Sequence, residues 1–177
     1  MTKLTIFLMI SISYLFAGHY ERDNSKESVF DTGTKLQWQD SVDTKTIRKG
    51  YEESILYCEA LTFGGYDDWR LPFKDEMLSI VEKKNSPTYS PTFQNIVPDE
   101  QFNRYWVASL WKGNKESSIA GCVDFNKGIN NDFCFYGKDE KFFVRCVRGE
   151  QLNKNLNIKD FYEKDGSSKR AKKKLTR

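Results

Sequence analysis

The sequence predicts an α+β domain in which two helices precede a small antiparallel sheet and disulfides staple the two together. Three observations carry this. Apolar residues recur at helical spacing on both sides of the run Gly65-Tyr66-Asp67-Asp68-Trp69-Arg70-Leu71-Pro72. From Tyr105 onward they follow strand periodicity, broken by a turn around Gly128. Four cysteines, Cys58, Cys122, Cys134 and Cys146, form an even set behind an export-like N-terminus. A chain of 177 residues suits one domain with tails and is long enough to bury a core.

The elements follow in order. Lys3 is a short positive region, residues 4–16 are apolar except for Thr5, Ser11 and Ser13, and the small pair Ala17-Gly18 follows. Residues 1–18 therefore read as an export signal. The apolar run of about 13–15 residues falls short of the roughly 20 that span a bilayer. Leu15, a large residue ahead of the expected cut, keeps an uncleaved anchor as the alternative. Residues 19–28 are polar and are expected to be loose, with the domain over 29–149 and a polar, basic, disordered tail over 150–177. Two short strands around a Thr32-Gly33 turn are expected over 29–38. Asp43 or Thr44 then caps a helix whose inward face is Ile47, Tyr51, Ile55, Cys58 and Leu61, stopped by Gly64-Gly65. A second helix is expected over 73–84, with Met77, Leu78 and Val81 inward.

Pro87, Pro91 and Pro98 make 85–104 a long loop region. Strands are expected over 105–110, 119–125, 131–136 and 142–148. Cys122 and Cys134 lie symmetrically about Gly128, which places them opposite each other across a hairpin. Of the three pairings that four cysteines allow, this favours the nested one, in which a Cys58–Cys146 bond ties the first helix to the last strand. The aromatic side of the hairpin (Val123, Phe125, Phe133, Phe135) is the expected core face. In the last strand Phe142, Val144 and Cys146 share one side, and Phe143, Arg145 and Val147 the other.

Charge separates body from tail. The net +3 includes Lys169, Arg170, Lys172, Lys173, Lys174 and Arg177 at the end of the chain; without those six, 22 basic residues face 25 acidic ones. The tail could contact anionic polymer or lipid headgroups. Without aromatic interleaving, and in an exported protein, no nucleic acid is expected as a partner. His19 is the single histidine and sits at a tethered end, which disfavours histidine-based catalysis. The cysteines lack a Cys-x-x-Cys pair, which disfavours zinc. No catalytic, metal or cofactor residue is therefore assigned. Neighbouring acids such as Asp67-Asp68 point apart rather than oppose each other across a cleft, and beside Arg70 they read as an ion-paired turn with Trp69 inward. Arg145 and Arg148 read as structural partners. The candidate ligand-binding residues are Trp111, Lys112, Asn114 and Lys115, where an indole face next to polar groups suits a glycan or a protein partner.

Several pieces in order resemble a known family. They are Thr32-Gly33-Thr34-Lys35-Leu36-Gln37-Trp38-Gln39, Tyr57-Cys58, residues 65–72, Tyr105-Trp106, Val123-Asp124-Phe125 with Gly128, and Val144-Arg145-Cys146-Val147-Arg148. Together they resemble the C-terminal domain family of Legionella collagen-like adhesins, a domain of unknown function within the broader C-type-lectin-like and formylglycine-generating-enzyme-like fold. Trp38, Trp69, Arg70, Pro72, Trp106 and Arg145 are the fold signature on this reading. The resemblance implies a C-type-lectin-like fold and an exported, non-catalytic recognition or adhesion module that binds anionic glycan or a surface protein. The chain lacks the Glu-Pro-Asn and Trp-Asn-Asp motifs of calcium-dependent lectins, so no calcium–sugar site is carried over. Phe73 stands where the family has a small hydroxyl residue, which weakens the cap of the second helix. The rivals are an enzyme of the formylglycine-generating type, which needs reactive cysteines, and a structural subunit of an envelope complex.

Overall fold

The computed structural model describes residues 19–81, 92–97, 103–110, 117–125 and 133–157. The export-like segment, the basic end of the chain, the turn at 126–131 and the residues Trp111, Lys112, Asn114 and Lys115 lie outside them.

Nine strands and three helices form among the described residues: β1 (Tyr20–Asp23), β2 (Ser28–Asp31), β3 (Gln37–Gln39), α1 (Asp43–Thr46), β4 (Arg48–Lys49), α2 (Tyr51–Ala60), α3 (Lys74–Ser79), β5 (Arg104–Leu110), β6 (Ile119–Asp124), β7 (Phe133–Gly137), β8 (Phe142–Phe143) and β9 (Val147–Arg148). They build two sheets where one was expected, in the orders β1-β2-β3-β9 and β4-β8-β5-β6-β7. Pairing is antiparallel except where β5 runs parallel to β8, Tyr105 opposite Phe143.

The expected last strand is split between the sheets. β8 pairs with β4 and β5, the chain crosses at 144–146, and β9 pairs with β3. Its side-chain alternation survives the crossing. Phe142, Val144 and Cys146 enter one core with Tyr51, Ile55 and Trp106, whereas Phe143 and Val147 enter a second with Trp38, Met77 and Tyr105. The five-stranded sheet is thus buried on both faces, α2 covering one, and α3 with β2 and β3 covering the other. This corrects the single core face expected for the hairpin: Ala120 and Cys122 belong to the first core, Val123 and Phe125 to the second.

Residues 19–28 are not loose. β1 pairs with β2 over four residues, Tyr20 opposite Asp31 and Asp23 opposite Ser28. The Tyr20 hydroxyl donates to Ser79 O at 2.8 Å and the ring packs edge-on to Phe93. A polar composition here marks an edge strand whose side chains reach across the fold. Residues 150–157 are likewise attached. Leu152 N–H donates to Glu76 Oε1 at 3.2 Å, and Leu156 packs against the first core.

The expected first helix is two short elements, α1 and α2: Ile47 is already extended and Arg48-Lys49 pair with β8 before α2 starts after Gly50. Gly50 is extended (ψ 168°), and a Cβ there would stand 3.2 Å from Lys138 O. Its N–H donates to Glu53 Oε2 at 3.0 Å, so the third residue of α2 satisfies a backbone donor at the helix start. α2 ends at Ala60 rather than at Gly64-Gly65. Those glycines, at φ +60° and +85°, close a tight turn between Phe63 and Tyr66, which bond to each other through both backbone pairs.

α3 begins after Phe73, whose side chain makes no cap bond. Glu76 compensates by accepting Phe73 N–H at 2.8 Å while gripping Arg70 through both oxygens at 2.7 Å. Its carboxylate is buried and also takes Leu152 N–H. Glu76→Gln is expected to destabilise the domain by about 2–3 kcal/mol, since a charge-assisted fork is lost and a helix-start donor weakened. The check is the urea midpoint at unchanged slope.

Disulfides join Cys58 to Cys146 and Cys122 to Cys134, as the spacing predicts. Cys122 and Cys134 are direct register partners of β6 and β7. The first bond fastens α2 to the crossing between sheets.

Candidate functional site

The run 65–72 is a joint. Trp69 is buried and its indole N–H donates to Phe63 O at 3.1 Å. Arg70 exchanges both backbone bonds with Val147 of β9 and forks onto Glu76. Pro72 O accepts Ala108 N–H from β5. Asp68 pairs with Arg148 at 2.6 Å, and Arg148 stacks on the Tyr66 ring 3.6 Å from its centroid. That hydrogen bond and charge hold the Asp68 carboxyl below the ordinary carboxylate range. Among the described residues no three His, Cys, Asp or Glu side chains gather in a metal-binding group. Asp68, Trp69 and Arg70 all face protein partners, so the turn sets α3 against the sheets.

Arg145 is wholly buried and meets Asp40, equally buried, at 2.8 Å. It also donates to Gln39 O and Asn95 O and lies over the Phe93 ring. Asp40 further accepts Arg22 from β1 and the N–H groups of Gln94 and Asn95. One carboxylate therefore ties β1, the end of β3, the crossing before β9 and the segment 92–97 together. Trp38 and Trp106 are buried in opposite cores, Trp106 donating to Lys49 O at 2.8 Å. The six signature residues therefore all serve the scaffold. Three of them converge on the last strand: Trp38 faces Val147 in register, Arg70 bridges to Val147, and Arg145 sits two residues before it.

The space suited to a ligand lies elsewhere. An open cleft of about 350 Å³ is lined by Gly50, Tyr51, Glu52, Glu53, Ser117, Ser118, Lys138, Asp139 and Lys141. Three segments build it: the start of α2, the residues leading into β6, and the turn between β7 and β8. Backbone bonds hold them in place, Tyr51 N–H to Lys138 O and Lys138 N–H to Ser118 O, both 2.8 Å. Two ion pairs flank it, Lys138 to Glu52 at 3.7 Å and Lys141 to Glu53 at 2.7 Å. The Lys141 hydrogen bond, with Gly50 N–H and the charges of Lys141 and Lys49, keeps the Glu53 carboxyl below the usual carboxylate range. Tyr51 is buried edge-on to Trp106, and burial pushes its phenol up, so it stays protonated.

Trp111, Lys112, Asn114 and Lys115 precede Ser117 in the chain and lie outside the described residues. Sequence reasoning missed the cleft and Asp40. The usable signals were Gly50-Tyr51-Glu52-Glu53, a glycine ahead of acids at a helix start, and Asp40 directly after the apolar strand that ends at Gln39.

No curated protein matches the chain. The model of one family, described as the Lcl C-terminal domain, matches residues 27–148. That span covers both disulfides, all six signature residues and every strand except β1. The chain belongs to the Lcl C-terminal domain family.

Proposed function

We propose that this protein is an exported, non-catalytic recognition module of the adhesin type, with a C-type-lectin-like fold. One observation carries the reading: a twice-stapled scaffold presents an open, largely polar cleft built from three chain segments. Hydroxyls and charged groups in its lining suit reversible recognition of a polar surface ligand. Membership of an adhesin-type family supports it, and two disulfides fit an oxidising compartment. The commitment of all four cysteines to disulfides also favours recognition over formylglycine-type chemistry, which needs free thiols. Alkylation without reduction, read by mass, is expected to label no cysteine. Two labelled thiols would favour the enzyme.

The ligand is sought by retention on heparin and on glycan arrays, comparing the intact chain with one ending at Asn157. The cut falls there because Leu152 and Leu156 hold residues up to that point against the domain. Retention that survives the cut places binding in the folded body. If retention vanishes, the basic tail is the agent and the protein acts as an envelope subunit tethered to anionic surface. If neither form is retained on any glycan, the ligand is a surface protein.

A further inference from the structure

The cleft's charge pattern bears on which glycan it takes. Three carboxylates line it, Glu52, Glu53 and Asp139, against two ammoniums, Lys138 and Lys141. Each ammonium already faces a carboxylate, and Lys49 behind Glu53 brings the neighbourhood close to balance. A sulfated or carboxylated chain entering here would meet acids at least as often as bases, and the acids would repel it. A neutral polyol meets no such conflict. An ammonium has three N–H donors and a carboxylate about four acceptor sites, so paired charges still have capacity for hydroxyls. Ser117 and Ser118 also line the cleft, and Ser118 brings an exposed hydroxyl.

Resting on the recognition reading above, we propose that this cleft is a binding site for neutral, hydroxyl-rich saccharides and disfavours polyanionic ones. Anionic polymer is then left to the basic tail. Glu53 is ionised throughout the physiological range, so the pattern persists in mildly acidic surroundings.

The test uses the purified full-length chain, unsubstituted hexose and N-acetylhexosamine oligomers as neutral probes, and heparin as the polyanion. Neutral binding is expected to change little between low and high salt, because it releases no counterions and rests on hydrogen bonds. Ser118→Trp, which fills the cleft from an exposed position, is expected to weaken it about tenfold or more. Asp139→Lys reverses the charge majority without filling the space. It is expected to add salt-dependent heparin retention even in a chain ending at Asn157. Neutral binding untouched by Ser118→Trp overturns the cleft assignment and leaves the recognition reading standing. Wild-type affinity higher for heparin than for neutral oligomers, in the chain ending at Asn157 and insensitive to Asp139→Lys, overturns the selectivity. Failure of both probes overturns this inference together with the glycan form of that reading.

Discussion

Asp40→Ala is expected to destabilise the domain by about 4–5 kcal/mol, the largest loss from any single side chain outside the disulfides. The substitution removes the carboxylate that pairs with Arg145, a fully buried guanidinium that also donates to the carbonyls of Gln39 and Asn95. It also orphans the N–H groups of Gln94 and Asn95 and frees Arg22 from its partner. Arg145→Leu is expected to cost less, about 3 kcal/mol, because Asp40 keeps Arg22 and both backbone donors. The double variant should then lose less than the sum, since neither charge is left buried alone. Urea unfolding of the four proteins checks the order: Asp40→Ala least stable, with coupling of at least about 1 kcal/mol. Equal and additive losses would mean that the pair is incidental to the core. With total stabilities of about 5–15 kcal/mol typical of single domains, Asp40→Ala brings the protein near its unfolding threshold.

Removal of Cys58–Cys146 should be comparably severe and should exceed removal of Cys122–Cys134. The first bond closes a separation of 88 residues and the second one of 12. In the chain-entropy account these are worth about 4–5 and about 3 kcal/mol. Location widens the gap. Cys58 and Cys146 are both fully buried and join α2 to the crossing between sheets, where β8 and β9 are only two residues each. Cys122 and Cys134 join strands that already pair over five residues. Paired Cys→Ala variants compared by thermal melting should rank in that order. The reverse ranking would show that β8 and β9 hold without the staple.

Much of the scaffold was legible because it depends on spacing and parity. The symmetry about Gly128 places Cys122 against Cys134, and the remaining pair follows. The alternation from Phe142 to Val147 sorts side chains correctly between the two sides, with Cys146 toward α2. Trp69 inward and Arg70 on a carboxylate also follow from residue type within a turn. What could not be read depends on who sits across. Polar Tyr20-Glu21-Arg22-Asp23 has no apolar pattern to mark it as a strand; its partners are Asp40, Ser79 and Phe93, far along the chain. Residues 47–50 leave a helix that periodicity alone would continue, because Arg48-Lys49 pair with β8, and Lys138 O lies where a side chain at Gly50 would stand.

The sequence by itself determined the mixed α+β class and the family, and pointed to the disulfide pairing and the inward-facing Trp69. Each is a matter of local periodicity, residue type or order along the chain. Only the tertiary structure decided that the last strand serves two sheets and that Asp40 is the buried node of the charge network. It also decided that Gly50, Ser118 and Lys138 meet at a cleft. Those outcomes depend on groups more than fifty residues apart coming within hydrogen-bond reach, and a lone Asp or Lys in a sequence carries no mark of the partner it will find.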